Sequence, residues 1–386
     1  MKWIVGGTAI CVALAFSQCK KAETTTQEVA AEECEPVTFS SIPGEAYIVV
    51  LNEGDPLLKT DAVTALSKRS GSVLERCAIE QERLGALFTG AQPGFLAKLT
   101  AVQADALRKD AEVQLVERDR IISLATGCFS LVAPSTAQWG VRRVGVGDGT
   151  GKRVWVIDTG IDLDHPDLLV SQTLSASFVS GESSADDGNG HGTHVAGIIG
   201  ALNNTTGVLG VASGATLVAL KALDDEGEGN TGNLVRALNY IAQNGAAGDV
   251  INMSLGSDTI SNALDNAVLT LANRGFLFAV AAGNDGVAAN KSSPARVNHA
   301  NVYTVTAIDS LGRFASFSNF GNDVVDFAAP GVNIVSTYSR GRYARLSGTS
   351  MAAPHLAGIL ALRGSVGSSG TATNDPDGTP DPIAKY

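Results

Sequence analysis

"VWVIDTGIDLDHPDL", residues 154–168, decides how the rest of the chain is read. Val154–Ile157 is a continuous apolar run of strand length that stops on an acid, Asp158, before a turn carrying Gly160. Four more such runs follow at Thr216–Lys221, Val250–Met253, Phe276–Ala281 and Val302–Ala307. Between them lie helical stretches, among them His191–Ala201, Gly232–Gln243 and Asn262–Asn273. Apolar strands that alternate with helices are covered on both faces, which predicts an α/β fold built on a doubly wound, mostly parallel sheet. Ligands of such sheets gather beyond the carboxyl ends of the strands. Asp158, Ser254 and Asn284 all fall on that edge.

Two further stretches carry chemistry. "GNGHGTHVAGIIG", residues 188–200, holds two of the five histidines, His191 and His194, at a helix start. A zinc pair with its glutamate base reads H-E-x-x-H, and H-G-T-H has neither that spacing nor the acid. "LSGTSMAAPHLAG", residues 346–358, sets Ser350 at the head of an apolar helix. An isolated serine there is usually only a cap, although the free N–H groups of a first turn can also hold a developing oxyanion. A nucleophilic serine needs a base to take its proton and a carboxylate to orient that base. An α/β-hydrolase would have glycine in place of Ala352, then an acid and a histidine, whereas only His355 follows the serine. The order Asp158, His191, Ser350 matches another known triad order.

These blocks resemble the three active-site blocks of the subtilisin family, in the same order, within a likeness running from about Gln138 to Arg363. "FAVAAGNDG", residues 278–286, is similar to that family's oxyanion block, and "INMSLGS", residues 251–257, to its substrate-binding strand. The resemblance implies a serine endopeptidase with Ser350 as nucleophile, His191 as base and Asp158 as its orienter. Asn284 and the Ser350 N–H would form the oxyanion hole. It also implies that an extended peptide or protein substrate lies between Ser254-Leu255-Gly256 and Gly227-Glu228-Gly229, held by main-chain bonds. Such pairing reads shape more than side chains, so broad specificity is expected. The acids Asp225, Glu226 and Glu228 form a rim that would favour basic side chains. His194 and His355 are expected to be packed, and His165 and His299 to be loop histidines.

A calcium site is expected in "ALNNTTGVLG", residues 201–210. Asn203, Asn204 and Gly207 are turn residues. A loop folded back here would bring the Leu202, Thr206 and Val208 carbonyls and the Asn204 side-chain oxygen together with the Asp167 carboxylate. Hard oxygens of this kind suit calcium, which takes roughly 6–8 of them. The stretch also resembles the calcium loop of subtilisin relatives, although the N-terminal ligand of that site has no counterpart near Ser135.

Upstream, "EAYIVVLNEG", "PGFLAKLTAVQADALR" and "AEVQLVERDRIISL" (residues 45–54, 93–108 and 111–124) are similar to the inhibitory propeptide of these proteases. Within them Tyr47–Leu51 and Val113–Val116 are strand runs, and Thr100-Ala101-Val102-Gln103 is a capping box opening a helix to about Lys109. Residues 45–124 are therefore expected to form a small α+β inhibitory unit, with a linker at 125–138 that is cut on maturation. The catalytic domain would span 139–364, and the Gly/Ser/Asp/Pro-rich residues 365–386 would be a flexible tail.

The N-terminus, residues 1–19, reads as an export signal: Lys2 precedes an apolar run, Ile4–Phe16, too short to span a bilayer. Ala13-Leu14-Ala15 offers ordinary signal cleavage, while Phe16-Ser17-Gln18-Cys19 resembles a lipoprotein box that would anchor the chain through Cys19. The protein would then be secreted or tethered at the cell envelope, with residues 20–44 as a polar tether. The 386 residues allow two or three domains. A net charge of −11 lacks the basic surface nucleic acid requires. No cysteine follows Cys128, which leaves no thiolate metal site in the main domain, while Cys34 and Cys77 could pair. A monomer without an organic cofactor is expected.

Overall fold

The computed structural model describes residues 46–53, 62–124, 130–131 and 138–386. The export signal with Cys19, the tether with Cys34, and most of the linker lie outside these residues. Cys77 is a half-buried free thiol.

The apolar runs become strands because each residue of the central ones finds a buried face. Val154 and Val156 point to one side of the Arg153–Asp158 strand, Trp155 and Ile157 to the other, and all four are fully buried. The sheet has nine strands. In spatial order they are Gly367–Thr371, Pro382–Lys385, Val325–Pro330, Val302–Ile308, Leu277–Ala281, Val250–Met253, Arg153–Asp158, Thr216–Lys221 and Ala176–Ser177. Every pairing is parallel except that between the first two. One face is covered by the helices His191–Gly200 and Thr349–Arg363, the other by Thr231–Asn244 and Asn262–Asn273.

The C-terminal residues correct the expectation of a flexible tail. Gly367–Thr371 and Pro382–Lys385 form an antiparallel pair that extends the main sheet, with Ala328 opposite Ile383. Ile383 and Ala372 are buried against Ile308 and Ala328. The chain end folds back on the start of the domain, where the Tyr386 N–H donates to the Val144 carbonyl and Lys385 Nζ to that of Arg143. Of the Gly, Asp and Pro residues that suggest coil, Gly367, Gly370 and Pro382 lie in the two strands, and those within 372–381 form the turn between them.

The N-terminal unit is a four-stranded antiparallel sheet in the order Leu84–Phe88, Gly94–Lys98, Ala46–Leu51, Val113–Arg118. Helices Ala62–Arg76 and Ala101–Leu107 cover one face, and Thr100 and Gln103 form the capping box reciprocally. The other face, with Ile48, Val50 and Phe88, packs on Val235 and Ala263 of two helices of the main domain. Two carboxylates sit at the starts of those same helices. Glu117 Oε2 accepts the Asn262 and Ala263 N–H groups, and Asp119 Oδ1 accepts that of Gly232. Anions are favoured at helix N-termini because the N–H groups there lack intrahelical partners.

Candidate active site

Three strand ends and two helix starts meet at the carboxyl edge of the sheet. Asp158 closes its strand fully buried, and its Oδ1 lies 2.7 Å from Nδ1 of His191, the first residue of its helix. The Thr159 N–H donates to the same oxygen at 2.8 Å. The helix can approach this closely because position 192 is glycine: a Cβ there would collide with the Gly160 carbonyl oxygen. Burial pulls the His191 imidazole toward neutrality, but the charge and hydrogen bond of Asp158, with the charge of Asp187, outweigh it and raise the pKa above the ordinary value.

Ser350 is the second residue of the Thr349–Arg363 helix and is 8 % exposed. Its Oγ donates to the Ser254 carbonyl at 2.9 Å. Apo serine–base contacts often close only when substrate arrives. Asn284 follows the Leu277–Ala281 strand, and its Oδ1 accepts the Thr349 N–H and hydroxyl at 2.8 and 3.0 Å. That fixes the amide with Nδ2 on the opposite side. The Asn284 amide and the Ser350 N–H both lie beside Gly348, next to the serine.

The other histidines do not share this geometry. His194 is fully buried, and its Nε2–H is split between the Ile334 and Ala344 carbonyls at 3.1 Å. Burial drives its pKa down to about 3. His355 donates from Nδ1 to the Met351 carbonyl, and burial drives its pKa down to about 4. His165 is buried too, its Nδ1 accepting the Asp167 N–H, so it is packed into its turn rather than lying in a free loop. Among the described residues no group of three or more His, Cys, Asp or Glu side chains could hold a metal ion.

Glu228–Asn230 is a strand edge, and the end of the N-terminal unit occupies it. Ile121–Ser123 pairs antiparallel with it, Gly229 opposite Ile122, and the Leu124 N–H donates to the Gly227 carbonyl at 3.1 Å. Ile122 is 1 % exposed, in an apolar cluster with Leu223, Leu234 and Leu255. Of the two edges named from the sequence, the Gly227–Gly229 side carries this pairing. Ser254–Gly256 forms no ladder with the tail among the described residues. The acidic rim needs one correction, because Asp225 is not a free acid: its Oδ1 takes the Lys221 ammonium at 2.7 Å.

The loop at Leu202–Val208 does close on Asp167. The Leu202 N–H reaches the Asp167 carbonyl, Asn204 Nδ2 and the Val208 N–H reach its two carboxylate oxygens, and Tyr343 Oη adds a long contact at 3.4 Å. Asn204 Oδ1 turns to the Thr206 N–H. Asp167 Oδ2 therefore takes two donors and its Oδ1 one, so only Oδ1 keeps a lone pair for a cation, and the Leu202 carbonyl accepts the Asn204 N–H. The Asn204 amide would have to turn over to face it.

Sequence reading missed Thr159, Asp187 and Lys221, three polar residues that are almost fully buried beside the pair Asp158–His191. The signals were a lysine ending an apolar strand in register with Asp158, and an acid four residues before a helix start.

A buried carboxylate–imidazole pair and a serine at a helix head, with Asn284 bonded to the residue before that serine, at the edge of a parallel sheet fit a serine-peptidase type of site. The comparisons agree. The Subtilase family model matches residues 149–373, and the Peptidase inhibitor I9 model matches residues 46–125. M-protease of Shouchella clausii (strain KSM-K16) is 38 % identical over 364 residues, covering 93 % of this chain and 87 % of that protein. Subtilisin Savinase of Lederbergia lenta is 48 % identical over 231 residues, 58 % of this chain and 82 % of that one. The crystal structure of a cold adapted subtilisin-like serine proteinase superposes with a TM-score of 0.58 at 34 % identity, covering 64 % of this chain and 98 % of the other. The chain belongs to the subtilase family and is a serine endopeptidase preceded by an inhibitory propeptide domain.

Proposed function

We propose that this chain is an exported zymogen whose mature form hydrolyses peptide bonds through Asp158, His191 and Ser350 by way of an acyl-enzyme. The observation that carries the reading is the buried 2.7 Å contact between Asp158 Oδ1 and His191 Nδ1, at the sheet edge where Ser350 heads its helix. Asp158 keeps Nδ1 protonated, which leaves Nε2 as the base. Ser350 Oγ, losing its proton to Nε2, attacks the scissile carbonyl, and the oxygen of the tetrahedral intermediate is held by Asn284 Nδ2 and the Ser350 N–H. The imidazolium returns the proton to the leaving amine, and water then repeats the sequence on the ester.

The propeptide inhibits by filling the Gly227–Gly229 edge as a peptide would, its Ile122 seated in an apolar hollow. Substrates replace it by backbone pairing there and along Ser254–Gly256, so specificity is broad. A calcium ion held by Asp167, Asn204 and the carbonyls of Leu202, Thr206 and Val208 would stiffen the loop and takes no part in the chemistry. Residues 1–19 direct export, through ordinary signal cleavage or with Cys19 as a lipid anchor.

A serine-directed covalent inhibitor tests the reading. It is expected to label Ser350 of the processed enzyme and to abolish proteolysis in proportion. An unlabelled Ser350 in active, processed protein would contradict it.

A further inference from the structure

Asp187 belongs to none of the roles above, yet it receives more hydrogen bonds than any of the three triad residues. It is 4 % exposed. Its Oδ1 accepts the Asn189 N–H (3.1 Å), the Gly190 N–H (2.8 Å) and the Thr159 hydroxyl (2.8 Å), and its Oδ2 accepts the N–H and hydroxyl of Thr193 (2.9 and 2.6 Å). Two of these five donors belong to the turn that leads into His191, and two to Thr193 in the first turn of its helix. The fifth belongs to the residue after Asp158.

Thr159 is the other half of the link. Its N–H donates to Asp158 Oδ1, its Oγ1 accepts the Gly192 N–H at 3.0 Å while donating to Asp187, and its carbonyl accepts from Lys221 Nζ at 2.9 Å. Every polar group of this fully buried residue is spoken for. The bridge therefore runs from the backbone beside Asp158, through one hydroxyl, to the backbone beside His191. Resting on the serine-peptidase reading, we propose that Asp187 is a positioning residue for catalysis, acting through Thr159 to hold the Asp158 and His191 side chains in register.

The chemistry of the five donors fixes the working state of Asp187. All are donors, so a proton on the carboxyl would displace one of them, and the bridge needs the anion. Burial opposes this and pushes the carboxyl up to about 6. The charged and titratable groups around the imidazole are Asp158 on the neighbouring strand, Asp187 in the preceding turn and His194 one helical turn on. Tyr338 lies against Gly190 from the hairpin Ile334–Tyr338/Arg342–Leu346. Lys221, behind Thr159, is paired with Asp225 at 2.7 Å and Glu182 at 3.4 Å. Asp187 thus adds a second negative charge that favours imidazolium, and its own protonation removes the bridge. Both effects end activity at the acidic side of the pH profile.

The test compares Asp187→Asn, Thr159→Val and Thr159→Ser with wild type, each full-length zymogen being processed by a trace of wild-type protease and then purified. Asp187→Asn is expected to lower kcat at least tenfold with KM changed less than twofold, and to move the acidic limb of kcat/KM to lower pH. Thr159→Val should lower kcat without moving that limb, because the charge stays, and Thr159→Ser should restore most of the rate. Labelling of wild-type Ser350 by a covalent inhibitor is the control: its failure would sink the serine mechanism itself. With labelling intact, an Asp187→Asn enzyme whose kcat and acidic limb match wild type overturns the proposal. If Asp187→Asn does not fold, a Thr159→Val enzyme with wild-type kcat overturns it equally.

Discussion

Ser254 and Ser350 exchange hydrogen bonds: the Ser254 hydroxyl donates to the Ser350 carbonyl at 2.8 Å, and the Ser350 hydroxyl donates to the Ser254 carbonyl at 2.9 Å. The first bond has its cause four residues on. Pro354 has no N–H to offer the Ser350 carbonyl in the helical pattern, so that oxygen is free for a side chain from the neighbouring strand end. Asn252 Nδ2 steadies the donor at 2.9 Å. The second bond ties the Ser350 hydroxyl to the Ser254 carbonyl, and in the proposed mechanism a substrate N–H competing for that carbonyl would release the hydroxyl toward His191.

Removing the Ser254 hydroxyl therefore leaves a buried carbonyl without a partner. Ser254→Ala, placed in an inactive Ser350→Ala background to prevent autolysis, is expected to lose roughly 1–3 kcal/mol of stability. Urea denaturation followed by tryptophan fluorescence measures it, and a midpoint shift near zero would contradict the bond.

Propeptide binding should depend on pH with a defined sign. Burial pushes the Asp119 carboxyl up to about 6, although the Gly232 N–H donates to it. Asp265, in the first turn of the helix that Glu117 caps, is pushed up to about 6 as well. A carboxyl whose pKa rises in the complex takes up a proton on binding. Affinity is then greatest below the ordinary carboxylate range, is lost progressively as pH climbs to about 6, and levels off above that. Calorimetry of residues 45–124 binding to active-site-blocked mature enzyme, from pH 4.5 to 8, should show this loss. Asp119→Asn should flatten part of it. Affinity that rises with pH over this range would reverse the argument.

How much of this was legible in the chain differs by element. The Val154–Ile157, Thr216–Lys221 and Val250–Met253 runs announced a buried parallel sheet because fully covered strands tolerate no polar alternation, and their polar end residues marked the active edge. Asp158, His191, Ser350 and Asn284 stood out because a serine nucleophile needs a base and a carboxylate, and because the blocks around them resemble the active-site blocks of one family. The C-terminal strand did not. It carries only Ile383 and Ala384 inward, and its partner strand, Val325–Pro330, lies more than fifty residues upstream. The helix-capping roles of Glu117 and Asp119 were equally hidden, since the N–H groups they serve lie 113 to 146 residues away. Asp187 looked like one more acid in a polar loop, because five donors converge on it only once Thr159 is beside it.

The C-terminal strand makes its own prediction. Ile383→Ala should destabilise the mature enzyme by about 2–5 kcal/mol, the usual cost of emptying a buried isoleucine site. Thermal inactivation half-lives compare it with wild type. A half-life equal to wild type is what a solvated tail would give.

Calcium should matter to the mature enzyme's lifetime and not to its chemistry. An ion that binds only the folded state adds RT ln(1 + [L]/Kd), roughly 2.7 kcal/mol at a hundred times Kd. Excess chelator is expected to shorten the thermal half-life of wild type, and Asp167→Ala should be short-lived with or without calcium. If wild type is indifferent to chelator and Asp167→Ala to calcium, the loop holds no ion.

Ser350 is expected to perform the chain's own first cleavage as well as those of its substrates. Intact mass spectrometry of wild type and Ser350→Ala, each synthesised in a protease-free translation system, decides this. Removal of the nucleophile in subtilisin lowers the rate by about 10⁶, enough to stop maturation on any practical timescale. Wild type is expected to yield a mature enzyme and a separate propeptide ending beyond Leu124, while Ser350→Ala stays a single uncleaved precursor. Maturation of Ser350→Ala at the wild-type rate would mean that Ser350 does not make the cut.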